Sequence, residues 1–385
     1  MRFWTGLALG CAFAALASPA SAQSARPGGG GSTREDCAQR YNHDLAIRAC
    51  SDLLRRSPRD GWAYGNRGDA YRMKSMYDIA IADLSAAIKI NPRDAFSYGS
   101  RGESYRMKGQ LDLAISDFDQ AIMLNTRDHF SYASRGMAWK QKNQLDRALA
   151  DLDQAIMLDP NYGWAYGIRG EVLALKGDDD AAIRDFSDAL RVNPRDWFSL
   201  GGRGASYRFK RQLDLALADL SAAISINPRD AFSYSNRGEV YRLRKELDRA
   251  LIDLDQAIRL DPRTAFAFTS RGEVYREQGD LARALADLDE ALRLAPNDFF
   301  SLVSRGETYA ALGDRARAMD DFNAVLALPA RTRWETEEQS RARRRLAELG
   351  AGPPSTATPG LPTAPADPPA PGKVPMPVAP PPPPA

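Results

Sequence analysis

An all-α solenoid of tandem helix-turn-helix hairpins is the fold class that this 385-residue sequence predicts. Three observations carry it. Pro58, Pro92, Pro160, Pro194, Pro228, Pro262 and Pro296 fall on one 34-residue register, with Thr126 in the one missing place. Counted from the third residue after that proline, position 8 is Gly in all eight units and position 20 is Ala in all eight. Large apolar residues recur around these small ones at helical spacing, and no strand pattern is present.

The eight units are 61–94, 95–128, 129–162, 163–196, 197–230, 231–264, 265–298 and 299–332. At about 100° per residue, positions 4, 8 and 11 (Tyr64, Gly68 and Tyr71 in the first unit) share one face of a first helix. Positions 20, 24 and 27 (Ala80, Leu84 and Ala87) share one face of a second. The small residues at positions 8 and 20 let two helix backbones approach closely, and the large ones fill the space around the crossing. The proline ends the second helix, because the residue before it is pushed out of the helical region. No hairpin of this size buries its apolar face alone, so neighbours must stack.

The flanks follow in order. Residues 1–22 combine a basic start at Arg2, an apolar run from Phe3 to Ala17 and small residues at Ala20 and Ala22, the parts of a secretory signal peptide cleaved after Ala22. An uncleaved anchor and lipid attachment at Cys11 are the rival readings. Residues 23–32 form a flexible Gly-rich segment. Residues 33–60 read as a shortened hairpin in the same register, with Cys37 at position 11 and Cys50 at position 24, both core-facing. Once Cys11 is lost the cysteine count is even, which in an oxidising compartment suggests one disulfide; two buried free thiols are the alternative. Residues 333–350 predict a capping helix, with Ala342, Leu346 and Leu349 on one face and Arg341, Arg343, Arg344 and Arg345 on its other sides. It is either a solvated end or an attachment to an anionic lipid surface. Residues 351–385 are a Pro-rich tail expected to be disordered and extended, as spacer or ligand.

With 52 basic against 50 acidic residues, the chain has no field that recruits nucleic acid. The two histidines, His43 and His129, lie in different units without metal-ligand spacing around them. Neither a phosphate-cradling loop nor a nucleophile motif occurs, and the carboxylates recur once per unit as a structural signature does. No catalytic residue, metal or cofactor is expected.

The pattern aromatic-x-x-x-Gly-x-x-Tyr, Ala-x-x-x-Phe/Leu-x-x-Ala, Pro resembles that of tetratricopeptide repeats, densely over residues 61–332. The resemblance implies a superhelix whose concave groove binds peptides and proteins through positions 2, 5, 9 and 12 of the first helices. On this sequence position 2 is an aromatic row: Trp62, Phe96, Phe130, Trp164, Phe198, Phe232, Phe266 and Phe300. Position 9 is mostly acidic (Glu103, Glu239) and position 12 mostly basic (Arg106, Arg242), a surface suited to an extended mixed-charge or proline-containing peptide. Two readings stay open: the aromatics line the groove or plug the junction with the preceding hairpin, and the charges face a ligand or pair with each other three residues apart. Asn66 and Asn236 match one position of the clamp with which some members hold acidic chaperone tails, but the position expected to carry Lys or Arg is small or aromatic here, which argues against that specificity. The family's frequent Leu at position 7 is Arg in every unit, matched by Asp at position 23, which predicts an ion pair within or between hairpins.

The expected function is a non-enzymatic protein-protein interaction scaffold of the cell envelope, periplasmic or secreted, with protein or peptide partners. The alternatives are a carbohydrate-binding or polysaccharide-export accessory protein, its aromatic row stacking on sugars, and a membrane-surface adaptor acting through the Arg-rich end helix.

Overall fold

A computed structural model describes residues 33–330 and 333–350, and every regular element within them is an α-helix. The signal peptide read at 1–22, the segment 23–32 and the tail 351–385 lie outside the described residues. The described residues up to Arg169 form one compact unit, and those from Gly170 onward a second. The first holds α1 (Arg34–Cys37), α2 (His43–Arg56), α3 (Gly61–Met73), α4 (Tyr77–Ile90), α5 (Ala95–Met107), α6 (Leu111–Leu124), α7 (His129–Gln141) and α8 (Leu145–Leu158). The division falls within α9 (Gly163–Lys176). Beyond it come α10 (Asp179–Val192), α11 (Trp197–Phe209), α12 (Leu213–Ile226), α13 (Ala231–Leu243), α14 (Leu247–Leu260), α15 (Ala265–Glu277), α16 (Leu281–Leu294), α17 (Phe299–Ala311), α18 (Arg315–Ala327) and α19 (Arg333–Glu348). In both units each first helix packs on its own second helix, on the second helix before it and on the next first helix, as α5 does on α6, α4 and α7.

The helix crossing inside each hairpin depends on the glycine at position 8. A Cβ on Gly102 would stand 2.9 Å from Phe118 Cε1 and 3.1 Å from the Ala114 carbonyl oxygen. On Gly238 it would stand 2.7 Å from Leu254 Cγ and 3.3 Å from the Ala250 carbonyl oxygen. The facing Ala114 and Ala250, and the Phe118 and Leu254 side chains, are wholly buried, so neither neighbour has room to yield.

Beside that crossing stands the arginine of position 7. Arg237 donates from Nε and Nη2 to the two carboxylate oxygens of Asp253 at 2.7 and 2.9 Å, and from Nη1 to Ser221 Oγ at 3.2 Å on the preceding second helix. Arg101 repeats the arrangement with Asp117 at 2.7 and 2.8 Å and with Ser85 at 3.0 Å. In Arg271 the third partner is Asp255, at 2.7 Å. One planar, five-donor group thus closes its own hairpin and ties it to the one before, a geometry that lysine cannot reproduce. Its charge is also shared with an aromatic face, since Arg237 lies 5.6 Å from the Tyr234 ring centre.

The hairpin turn places position 15 in the left-handed region. Gly109, Gly177, Gly279 and Gly313 occupy it at φ of 73, 92, 82 and 80°, but Ser75, Asn143, Arg211 and Lys245 are held there at 58, 57, 60 and 64°. At the same edge Lys74, Lys108 and Lys142 reach back to Asp44, Asp78 and Asp112 of the preceding second helices, and in the second unit Lys210 and Arg244 reach Asp180 and Asp214.

Most first helices start on an aspartate cap. Asp298 Oδ2 accepts from the Ser301 amide at 2.8 Å and its hydroxyl at 2.5 Å, and Asp230 Oδ2 accepts from the Ser233 amide at 3.2 Å. Both caps are buried, and burial lifts each carboxyl to about 6 despite these hydrogen bonds.

At the N-terminal end α1 is a single turn, fixed to α2 by a Cys37–Cys50 disulfide with a Cα–Cα distance of 4.8 Å. The bond stands where a full-length first helix would otherwise pack, and Arg34 adds a pair to Asp60 at 2.8 Å. At the other end Ala342 and Leu346 of α19 are buried against α17 and α18, while Arg341 and Arg345 turn inward to Glu307 at 2.6 and 2.9 Å. Arg343 and Arg344 remain exposed. No described helix is long and apolar enough to cross a membrane.

Two stability measurements test this account. Gly102→Ala is expected to cost about 1–3 kcal/mol in denaturant melts through overpacking at the crossing, whereas Ser75→Gly, relieving a left-handed serine, is expected to be neutral or stabilising by up to about 1 kcal/mol. A folded-state pKa raised above the unfolded value means stability present below about pH 4 and lost as pH rises through about 6. Lowering the pH from 7 to 5 should therefore raise the melting temperature through these two caps, and the Asp230→Asn/Asp298→Asn double variant should lose that gain.

Candidate functional site

Positions 2, 5, 9 and 12 of the first helices form one face within each unit, and the aromatic row on it divides by burial. In the first unit Phe96 is 50% and Trp62 37% exposed, while Phe130 and Trp164 are half-buried. Trp62, Phe96 and Phe130 line an open cleft of about 440 Å³, together with Asn66, Arg40 and the one-turn helix α1. The cleft exists because α1 stops at Cys37 and because position 5 is small. The Phe130 ring lies 3.7 Å from where a Cβ on Gly99 would stand, so a side chain there would fill the space between the rings. Asn66 lines the cleft and donates from Nδ2 to the Trp62 carbonyl at 2.9 Å, and the Arg34 guanidinium lies 4.7 Å over the Trp62 ring.

In the second unit Phe198, Phe232 and Phe266 are only 4, 7 and 8% exposed, and Phe300 is half-buried. The sequence leaves two readings for these rings, groove lining or junction plug; three of the four pack into the protein. One cause is visible at Arg208, which lies 5.2 Å from the Phe266 ring centre and 4.1 Å from that of Phe209. Its Nε donates to Asn236 Oδ1 at 3.1 Å, and Asn236 Nδ2 donates to the Phe232 carbonyl at 2.9 Å. Asn236 is thereby consumed inside the fold and does not match a ligand clamp.

The charged rows also turn inward. Glu103 and Arg106 are 0 and 1% exposed and paired at 2.8 and 2.6 Å. Glu239 and Arg242 pair at 2.8 and 2.7 Å, and Asp69 pairs with Arg72 at 2.8 Å. Of the two readings left open for these residues, facing a ligand or pairing with each other, the structure has the pairs: neighbours three apart on a helix neutralise each other. In the second unit the pairs join into a ladder. Arg276 bridges Glu273 at 2.7 Å to Glu307 at 3.3 Å, and Arg341 and Arg345 of α19 close on Glu307. Burial opposes ionisation of Glu273, but Arg276, with Arg242 and Arg341, overcomes it and holds the carboxyl at about 2.

Two further aromatic residues escape a reading by repeat position alone. Tyr162 stands where most units carry the aspartate cap; it is buried, edge-on to His129 at 4.8 Å and 5.8 Å from Trp164, and burial pushes its phenol well above the usual range. Trp334 follows Phe300 by 34 residues and continues the position-2 row on α19, so this end helix takes the place of a ninth first helix and is not merely a cap. Among the described residues no group of three or more His, Cys, Asp or Glu is placed to hold a metal ion.

Family models described as tetratricopeptide repeat match residues 63–94, 136–198, 202–265 and 265–298. Among solved structures, the APC/C hetero-tetramer Cut9-Hcn1 is similar over 78% of this chain at 18% identity and a TM-score of 0.56, and the similarity spans 60% of the length of that chain. At such identity the likeness shows the fold alone. A tetratricopeptide repeat protein from Parabacteroides merdae is 20% identical over 67% of this chain and 98% of its own, with a TM-score of 0.49. YrrB, a TPR protein with an unusual peptide-binding site, is 29% identical over 48% of this chain and 95% of its own, with a TM-score of 0.38. No curated protein matches the chain. Helix pairs of one 34-residue register, crossing at glycine and matched by the family models on both sides of Arg169, lead to one conclusion: this chain is a tetratricopeptide repeat protein.

Proposed function

We propose that this chain is a non-enzymatic scaffold that holds polypeptide partners, and that the contact site is the cleft of residues 33–169. The observation that carries the reading is the exposure of Trp62 and Phe96 beside a cleft of about 440 Å³, in a chain whose other position-2 rings are half or fully buried. Aromatic rings offer a large contact area at small entropic cost, and a rim with Arg40, Asn66 and the Asp69–Arg72 pair supplies hydrogen bonds for a peptide backbone. Repeat families of this kind generally bind proteins and are generally non-catalytic, which agrees with that surface.

We further propose that the protein works outside the cytoplasm, in the periplasm or secreted. Two features support it: the signal-like segment 1–22, and the disulfide between Cys37 and Cys50, a bond that persists in oxidising compartments. In the membrane-adaptor alternative the end helix would offer its arginines to lipid, but Arg341 and Arg345 are committed to Glu307.

Crosslinking in native envelopes followed by mass spectrometry identifies the partners. Trp62→Ala and Phe96→Ala should then weaken their capture roughly tenfold or more at an unchanged melting temperature, whereas Phe232→Ala should lower stability by about 3 kcal/mol. Undiminished capture by the double Trp62/Phe96 variant, or retention of polysaccharide in place of discrete proteins, would sink the reading. For export, the intact mass of protein from its native compartment should correspond to a chain starting at Gln23, and thiol labelling should be seen only after reduction.

A further inference from the structure

A second cleft, of about 250 Å³, opens at the α19 end of residues 170–350. Phe300 and Trp334 supply its open aromatic surface, Phe209 and the mostly buried Phe266 line it with Arg208 over their rings, and Arg208 and Glu338 are among its polar walls. Phe266, Phe300 and Trp334 stand 34 residues apart on the successive first helices α15, α17 and α19, so this part of the surface repeats from helix to helix as a groove for an extended chain requires. Burial raises the Glu338 carboxyl to about 7, against the opposing effect of Arg341, which donates to it at 3.5 Å.

The polypeptide leaving α19 has the composition that such a surface accepts. Of the protein's 25 prolines, 15 lie in residues 351–385, which contain a single acidic residue, Asp367, and a single basic one, Lys373. Proline-rich segments dock on aromatic-lined grooves because the polyproline II helix is pre-ordered and its rings pack flat against aromatic faces. Reach is no obstacle. The 16 residues of α19 cover about 24 Å at about 1.5 Å each, and about eight residues of polyproline II, at about 3.1 Å each, return the chain to the level of Trp334.

We propose that the segment Pro359–Pro371 docks back, within the same molecule, into the cleft formed by Phe209, Phe266, Phe300 and Trp334. Proline rings of the segment lie on Phe300 and Trp334, backbone carbonyls accept from the polar wall, and Asp367 faces the arginine side of the cleft. Tethering makes a weak contact sufficient: at an effective concentration on the order of 1 mM, a site with an intrinsic Kd of about 0.1 mM is about 90% occupied. The inference is independent of partner binding at Trp62 and Phe96, since it concerns another cleft and another ligand.

The test compares the full chain with one ending at Gly350, using the indole N–H resonance of Trp334, assigned by its loss in Trp334→Phe. The resonance should differ between the two forms, and the difference should survive dilution of about tenfold. A synthetic peptide of residues 355–375 added to the shortened chain should restore the full-chain position. The same peptide with Ala at Pro362, Pro365, Pro368 and Pro369 should bind roughly tenfold more weakly. Apart from Trp334→Phe, which serves only for assignment, these changes lie in the tail or the peptide, so the folded body is the same in the samples compared. An identical Trp334 resonance in both forms, or equal binding by the substituted peptide, overturns the proposal. So does a shift that dilution abolishes, which would place the segment on a second copy, or a peptide that perturbs Trp62 in place of Trp334.

Discussion

Each hairpin rests on a helix crossing at a point where no side chain can stand. At Gly102 and Gly238 the facing carbonyl oxygen and the wholly buried Phe118 or Leu254 already occupy the space a methyl group would need. That close approach brings position 7 of one helix level with position 23 of the other, and the bidentate arginine–aspartate contact follows. Removing such a pair from water offsets much of its attraction, so its main contribution is to alignment: the guanidinium plane accepts one orientation of its carboxylate and one of the preceding second helix. Hairpin geometry and stacking geometry are thus set at one place, and an insertion within a helix beside the crossing would rotate these contacts out of line. The uninterrupted 34-residue register agrees with that constraint.

The same regularity decides what is left for a partner. Because positions 9 and 12 pair along the helix and are covered by the next one, most of the charge on the first-helix face is neutralised before any ligand arrives. Aromatic rings are the remaining variable, and whether they are presented depends on their surroundings. At the N-terminal end a one-turn helix and small residues leave Trp62 and Phe96 open. In the second unit an arginine from an earlier repeat lies over Phe266 and orders Asn236 beneath it. A face made of identical positions is in this way functionally uneven.

How much of this is legible in the sequence follows from the range of the interactions. The residues of the glycine crossings, the buried alanines and the Arg–Asp pairs recur eightfold in the sequence and depend on neighbours at fixed spacing, so the sequence alone reveals them. The pairing of Cys37 with Cys50 was legible as well, because both sit at core positions of one hairpin. Burial of Phe198, Phe232 and Phe266 was not, since it depends on side chains one and two repeats away, such as Arg208, whose direction no periodicity specifies. The inward turn of Glu103 and Arg106 was one of two open readings, and only the covering helix decides between them. Trp334 carried a signal, its distance of 34 residues from Phe300, hidden by a one-residue slip that puts Pro329 ahead of the expected place.

The lysine–aspartate contacts at the hairpin-turn edge have a mechanical consequence. Lys74, Lys108 and Lys142 reach across to the preceding repeat through carboxylates that face water, so salt screens them, whereas the arginine contacts beside the helix crossings are largely shielded. Within either unit each hairpin therefore keeps its shape while the links along one edge soften as ionic strength rises. Within a unit, such a stack bends more easily about that edge in high salt than in low salt.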